Sequence, residues 1–533
     1  MKRGFLKSLS DSRKIKYSTL SIAFCAIVIA IVVMLNSIVS VLGESLGWYL
    51  DMTEEQIFSL SDDAKLQLET INQEVELEIV FPFEKDEIDT AYYNSATTGA
   101  IGYVHSTAEQ IAQACPNVTV SYHDVDKDFA FYTERGLGKH AGDKYVLILR
   151  KVAGQEKYAE GDFRSYPINF FFVGDTTGNL YGYNGELMFI SALVAMSRDT
   201  TPVVYFTTKH GEISFLADTT ITFDNVETAV ENKLIDEGVL ELMRIFCDSG
   251  FDIKPLDLAT IDTSTGKIPA DARMVVINQP DTDFTTDELY LLTRYLETTG
   301  TVFCLTRHDV ELTNLYATLE ANYGVNVETA TEAVVDSGTQ FGNTKYTLLA
   351  NVCTHDDSFA TSKYFKALNS YSAARARFAS TGIIKIDSRF MKKDGYAVPN
   401  GPTIYTYPLV ETSSSAKFGD ENGVYNLMSI TSVQSYDYEN YRYAYLVVCP
   451  SSGFASNELL TSTAAPNRNM ILSLIQSTSN VQTPVNLDFK AFMSYELDIT
   501  DSQAQTATIL LATILPALVV IGGVVVIVRR KHR

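Results

Sequence analysis

Two uncharged apolar runs, one near each end, constrain this chain more than any other feature. Residues 18–42 read STLSIAFCAIVIAIVVMLNSIVSVL, with Asn36 the only strongly polar side chain, and residues 507–528 read ATILLATILPALVVIGGVVVIV. A helix needs about 20 apolar residues to cross the hydrocarbon core of a bilayer, and both runs are long enough. Lys2, Arg3, Lys7, Arg13, Lys14 and Lys16 precede the first run against Asp11 alone, and Arg529, Arg530, Lys531 and Arg533 follow the second. Positive flanks stay on the cytoplasmic side. The sequence therefore predicts a membrane protein anchored by a helix at each end, with cytoplasmic tails at 1–17 and 529–533 and residues 44 to 500 outside. The first run is far longer than the apolar core of a cleaved leader, about 7–15 residues, which favours a retained anchor.

The whole chain carries −23; the two tails hold +5 and +4, which leaves −32 on the body between them. Such a surface repels nucleic acid and anionic lipid heads, so no nucleic-acid partner is expected. Solubility is the simple use of the charge. Cys25 lies in the first run; Cys115, Cys247, Cys304, Cys353 and Cys449 are spread through the body without the spacing of a disulfide framework. Cys304 in TVFCLT and Cys449 in YLVVCP sit in strand-like apolar runs and read as buried, inert thiols.

The body divides into two α/β regions. Residues 44–200 open with two capping-box-like starts, Thr53-x-x-Gln56 and Ser59-x-x-Asp62, and a helical stripe of Leu60, Ala64, Leu68 and Ile71. Strands are predicted at 75–83, 117–125, 143–150 and 166–173, with helices at 99–115 and 185–196. This is a smaller α/β domain compatible with a thioredoxin-like layout. Residues 201–480 alternate more clearly. Strands are predicted at 202–208, 251–258, 273–280, 301–306 and 443–450. Helices are predicted at 231–250, after Thr285-x-x-Glu288, up to Gly324, and at 467–477. Such alternation implies a mostly parallel sheet with helices on both faces, a Rossmann-like or flavodoxin-like domain. A Thr-, Ser- and Tyr-rich stretch at about 325–440 is expected to be a β-rich insertion. Residues 481–506 form a stalk to the second run.

No P-loop, GxGxxG, GxSxG or HExxH is present, so neither a catalytic nucleophile nor a cofactor is expected. The first strand-to-helix turn instead reads Thr207-Thr208-Lys209-His210-Gly211-Glu212. An open α/β sheet places ligands there, past the C-terminal end of a strand. Lys209, His210 and Glu212 are therefore the candidate ligand-binding residues; a turn-stabilising His210–Glu212 pair is the simpler use of the same side chains. Asp124, Asp126 and Asp128 resemble the start of a calcium loop, but Phe129 and Arg135 stand where Gly and Glu are required. His105, His123, His140, His308 and His355 show no ligand spacing, and no metal site is expected. Asn117-Val118-Thr119 is a glycosylation sequon, relevant only in a eukaryotic secretory host.

Several segments together resemble one family, the GldG-type auxiliary components of ABC transporters. They are DMTEEQIFSLSDDAKLQLETINQEVELEIVF after the first run, VVYFTTKHGE, IPADARMVVINQPDTDFTTDELYLLTRYLETTGTVFCL, and YLVVCPSSGFASNELL followed by NRNMILSLI. Lys209 departs from the family's GHGE by replacing its first Gly, and Ser451 and Gly453 stand where acidic residues are expected. The resemblance implies an outer domain shaped like glutamine amidotransferases without their catalytic set. It implies a non-enzymatic subunit in the bacterial plasma membrane, working with a separate ATPase and a multi-span permease. The sequence is also compatible with a homo-oligomer. Two alternatives stay open: an envelope hydrolase on the same scaffold, with Cys304 as its nearest nucleophile, and a structural or sensing envelope protein.

Overall fold

The computed structural model describes residues 59–85 and 99–479, apart from short internal stretches and the longer 354–374. It also describes Ile27, Ala30, Ile31, Val33, Met34, Leu487, Lys490 and Ala491. Apart from those five positions of the first, the two apolar runs lie outside the described residues, as do the Thr53-x-x-Gln56 start, His355 and most of the stalk. The five described positions of the first run are helical and exposed. Among the described residues no helix is long and apolar enough to cross a membrane. The chain divides into two compact units, and the first, Met1–Val173 with Tyr183–Lys490, holds both sheets described below. Of the second, Gly174–Gly182 with Ala491–Arg533, the described residues are 174, 180–182 and 491.

The first sheet has four strands, β1 Glu76–Phe81, β2 Val118–Tyr122, β3 Tyr145–Lys151 and β4 Phe163–Pro167, in the order β2-β1-β3-β4. β1 and β2 are parallel, as a helical crossover requires; β3 runs antiparallel to β1, and β4 to β3. Helix α1 Asp62–Leu68 precedes β1, α2 Gly99–Ala114 connects β1 to β2, α3 Phe129–Glu134 follows β2, and α4 Gly185–Met196 closes the region. α1 starts two residues later than its sequence suggests, because Ser61 rather than Ser59 accepts the Ala64 N–H. The run 166–173 is not one strand: β4 ends at Pro167, and a 3₁₀ turn, Ile168–Phe171, follows.

The second sheet is larger. Its parallel strands are β5 Val203–Thr207, β6 Asp252–Leu256, β7 Ala272–Asn278, β8 Thr301–Leu305 and, much later in the chain, β13 Asn440–Cys449. They pair in the order β13-β8-β7-β5-β6. The alternation of side chains along them builds two cores. Val204, Phe206, Met274, Val276, Phe303, Leu305 and Val447 face one way; Val203, Tyr205, Val275, Ile277, Val302, Cys304 and Leu446 face the other. Both faces are therefore apolar, as helices on both sides demand. Helices α5 Leu240–Asp248 and α8 Asn467–Ser479 pack on the first core; α6 Thr286–Leu296 and α7 Thr313–Tyr323 pack on the second. α6 carries the full capping box of Thr285 and Glu288, and α7 ends at Gly324 in a left-handed conformation.

α5 is shorter than the predicted 231–250 helix. Lys233 has a φ of 56°, and Asp236 accepts the Gly238 N–H to form a 3₁₀ turn, so regular helix starts only at Leu240. The β-rich stretch at 325–440 extends the main sheet. β9 Thr347–Val352, β10 Arg375–Ala379, β11 Thr403–Glu411 and β12 Asn426–Asp437 continue it from β13 in the order β10-β9-β11-β12-β13, each antiparallel to its neighbour. Asn467 closes the edge at β10, where its side-chain amide and carbonyl pair with the Arg377 backbone as a strand would.

Two arginines join the halves of this unit. Arg164 on β4, buried at 7% exposure, donates to the carbonyls of Cys247 and Asp248, and Arg198 beyond α4 donates to those of Ser249 and Gly250. Both cations thus satisfy the open carbonyls at the C-terminus of α5, where the helix dipole is negative.

Candidate functional site

In the parallel part of the main sheet, β5 is flanked by β6 on one side and β7 on the other, so the direction of winding reverses between β5 and β7. Ligands of open α/β sheets enter the crevice beyond the C-terminal ends of the strands at such a point. The Thr207–Glu212 turn lies there, as the sequence predicts.

The turn is held on all sides. The His210 carbonyl accepts the N–H groups of Asp281 and Thr282 at 2.8 and 2.9 Å, from the loop after β7. Ile213 N–H donates to the Asn278 carbonyl at 3.1 Å, and the Asn278 amide returns a bond to the Ile213 carbonyl at 2.7 Å. A side chain at Gly211, whose φ is +78°, would put its Cβ 2.9 Å from Asp281 Cβ. The two loops that would part to admit a ligand are thus bonded to each other.

His210 lies at the centre of this closure. Its ring stacks on Phe284 with centroids 4.0 Å apart. Nδ1 is 3.4 Å from Glu212 Oε1, and Nε2 is 3.2 Å from Glu288 Oε2. Glu288 Oε2 also accepts the N–H and hydroxyl of Thr285, both at 2.8 Å, so the carboxylate that caps α6 also holds the imidazole. Glu212 Oε2 accepts the His210 N–H at 2.7 Å. The bond to Glu212 raises the His210 pKa above its ordinary value; burial opposes this, and the charge of Glu288 adds to it. Burial works against ionisation of Glu212, but bonds from His210 and from backbone amides prevail and hold its carboxyl below the usual range. The two carboxylates thus favour the protonated form of the imidazole.

The structure therefore brings His210 and Glu212 together and adds Glu288, which the sequence marks only as a cap. Lys209 does not join them. It is exposed, with a φ of 84°, a conformation that suits glycine. In the loop after β8, Arg307 bonds Asp281 at 2.9 Å and forks onto Asp309 with two bonds of 3.0 Å. The arrangement can fix a turn and present an exposed face of mixed charge.

The remaining sequence candidates are structural. Asp124 accepts the N–H groups of Asp126 and Lys127 and pairs with the Lys127 ammonium at 3.0 Å, an Asx turn that satisfies itself. Asp128 pairs with His123 at 2.7 Å. The Asn117 amide donates to the Asn72 and Val75 carbonyls. Among the described residues no group of three or more His, Cys, Asp or Glu could hold a metal ion. Cys304 is 1% exposed in the core under α6 and α7, and burial pushes its thiol up to about 12. Cys115, Cys247 and Cys449 are likewise buried and unpaired by disulfides, and Cys353 is half-buried. Ser451 donates its hydroxyl to the Ala379 carbonyl at 2.9 Å, and a Cβ at Gly453 would lie 2.4 Å from Ala379 Cβ. That loop is packed too closely to carry an acidic side chain at 453.

No protein-family model matches the chain, and no curated protein matches it. Among solved structures it is similar to one described as "mmIFT52 N-terminal domain", at 15% identity over 52% of this chain and 97% of that chain, with a TM-score of 0.34. At that score the likeness bears on neither fold nor function.

Proposed function

We propose that this chain is a non-enzymatic, membrane-anchored auxiliary subunit of a bacterial ABC transporter complex, with its outer domains contacting a partner or substrate. The observation that carries the non-enzymatic part is the bonded switch point. The loops that border the crevice where this kind of sheet takes a ligand are bonded to each other, and His210 is held through Nε2 by Glu288, with Nδ1 3.4 Å from Glu212. The strand order β6-β5-β7-β8-β13 supports a flavodoxin-like, amidotransferase-like outer domain. The order β2-β1-β3-β4 with β3 antiparallel supports a thioredoxin-like layout for the smaller one. The two apolar runs with basic flanks and the GldG-type segments support the membrane and transporter parts.

The hydrolase alternative needs a reachable nucleophile, and Cys304 is buried with its thiol protonated near neutrality. The deciding experiment is Cys304→Ala in the living host. Function at the wild-type level is expected, with a modest loss of stability from the missing core sulfur. Loss of function in a protein that still folds and inserts would overturn the non-enzymatic reading.

A further inference from the structure

Glu186, in the first turn of α4, is 5% exposed and gathers two distant chain segments onto one carboxylate. Ser61 donates its N–H to Oε1 at 2.9 Å and its hydroxyl to Oε2 at 2.7 Å. Lys490 places its ammonium 2.7 Å from Oε1, with only 11% of its side chain exposed, and also donates to the Ser59 carbonyl. Ser59 and Ser61 belong to the stretch that follows the first apolar run, and Lys490 to the stretch that precedes the second. The two connections between the outer body and the apolar runs are therefore fastened at one buried ion pair.

The surroundings make this contact conditional. Among the described residues Glu186 has one cation within reach, Lys490, and Asp62 and Asp63 at the head of α1 are exposed to solvent. Withdrawing Lys490 leaves the buried Glu186 carboxylate without its cation, a costly arrangement that must be relieved by solvent entry. α4 then runs about 18 Å at the helical rise per residue to Arg198, whose guanidinium sits on the Ser249 and Gly250 carbonyls at the end of α5.

We propose that Glu186 and Lys490 form a charge latch: closed, it pins the C-terminal connection to the N-terminal one at the head of α4, and a pull on either connection opens it. Displacement of the apolar runs is thereby converted into exposure of Glu186 and loss of the α1–α4 contact. The latch does not depend on the transporter reading, since every contact in it lies within the outer body.

Tryptic cleavage after Lys490 reports the latch directly, because the enzyme must extract that side chain. In the full chain in detergent, with cut sites identified by mass spectrometry, Glu186→Gln is expected to speed cleavage at Lys490 by about tenfold or more, the scale of a lost buried pair. Cleavage at the exposed Lys267 should stay unchanged. An unchanged rate at Lys490 would overturn the latch. Should Glu186→Gln speed both sites by loosening the whole body, the milder Ser61→Ala decides: faster cleavage at Lys490 alone supports the latch, and any other pattern overturns it.

Discussion

Nε2 of His210 lies 3.2 Å from Oε2 of Glu288, a carboxylate 78 residues further along the chain that also closes the capping box of α6. One side chain thus caps a helix and fixes the turn at the switch point of the sheet. The turn's position is set by the strand before it, but its closure comes from a residue that looks, in sequence, like an ordinary helix start.

This geometry predicts a specific pH dependence. The His210 pKa is raised from 6.5, so its contribution to stability is complete below that pH and is lost as pH rises through the folded value. The Glu212 pKa is lowered from 4.5, so its contribution is complete above that pH and is lost as pH falls through the folded value. Wild type should exceed His210→Asn by about 2–3 kcal/mol at the widest, between pH 4.5 and 6.5, with the gap closing at higher pH. Urea unfolding of the two proteins across this range measures it. A gap that widens above neutrality would contradict the imidazolium arrangement.

Lys209 predicts a gain. Its φ of 84° costs an L-residue what glycine does not pay, and its side chain is exposed. Lys209→Gly is expected to stabilise the body by about 0.5–1 kcal/mol, net of the extra freedom glycine has when unfolded. A rise in melting temperature is the readout; a fall would mean that Lys209 makes a contact worth more than its strain.

Much of the fold was legible in the sequence because its signals are local. The alternating apolar runs mark β5, β7 and β8, the Thr285–Glu288 box marks the start of α6, and Gly324 marks the end of α7. Three features were not. α5 loses its first turns to Lys233 and Asp236, whose effect depends on backbone conformations that periodicity does not reveal. The strands of 325–440 join the main sheet through the pairing of β12 with β13, consecutive strands whose Asp437 and Asn440 are partners, and the intervening Tyr438-Glu439 carries none of the Asn-Gly or Asp-Gly signal that marks so short a connection in sequence. Asp336 in that region is fully buried; it accepts the nearby Gly338 N–H and also the Ser413 N–H and the Ser413 and Ser415 hydroxyls, partners 77 and 79 residues away. At the site, Glu288 was visible as a cap, and nothing in the sequence links it to His210.

The junction of the two halves yields a third prediction. Arg164 and Arg198 together cover the C-terminal carbonyls of α5, and burial beside Arg164 pulls the Arg198 guanidinium down to about 10. Arg164→Met removes the fork to Cys247 and Asp248 while keeping the apolar stem. Calorimetry should then resolve two unfolding transitions where wild type shows one, because of its two arginine ties to the larger domain the smaller one keeps only Arg198. A single unshifted transition would show that apolar contacts alone couple the two.

The central claim, membership of a transporter complex, is tested most directly by isolating the tagged full-length chain from its own host's membranes in mild detergent and identifying what comes with it. The account predicts that a P-loop ATPase and a multi-span permease are recovered in amounts comparable to the chain. Recovery of the chain alone, in several detergents and after crosslinking in the membrane, would contradict it and move the structural and enzymatic alternatives to the front.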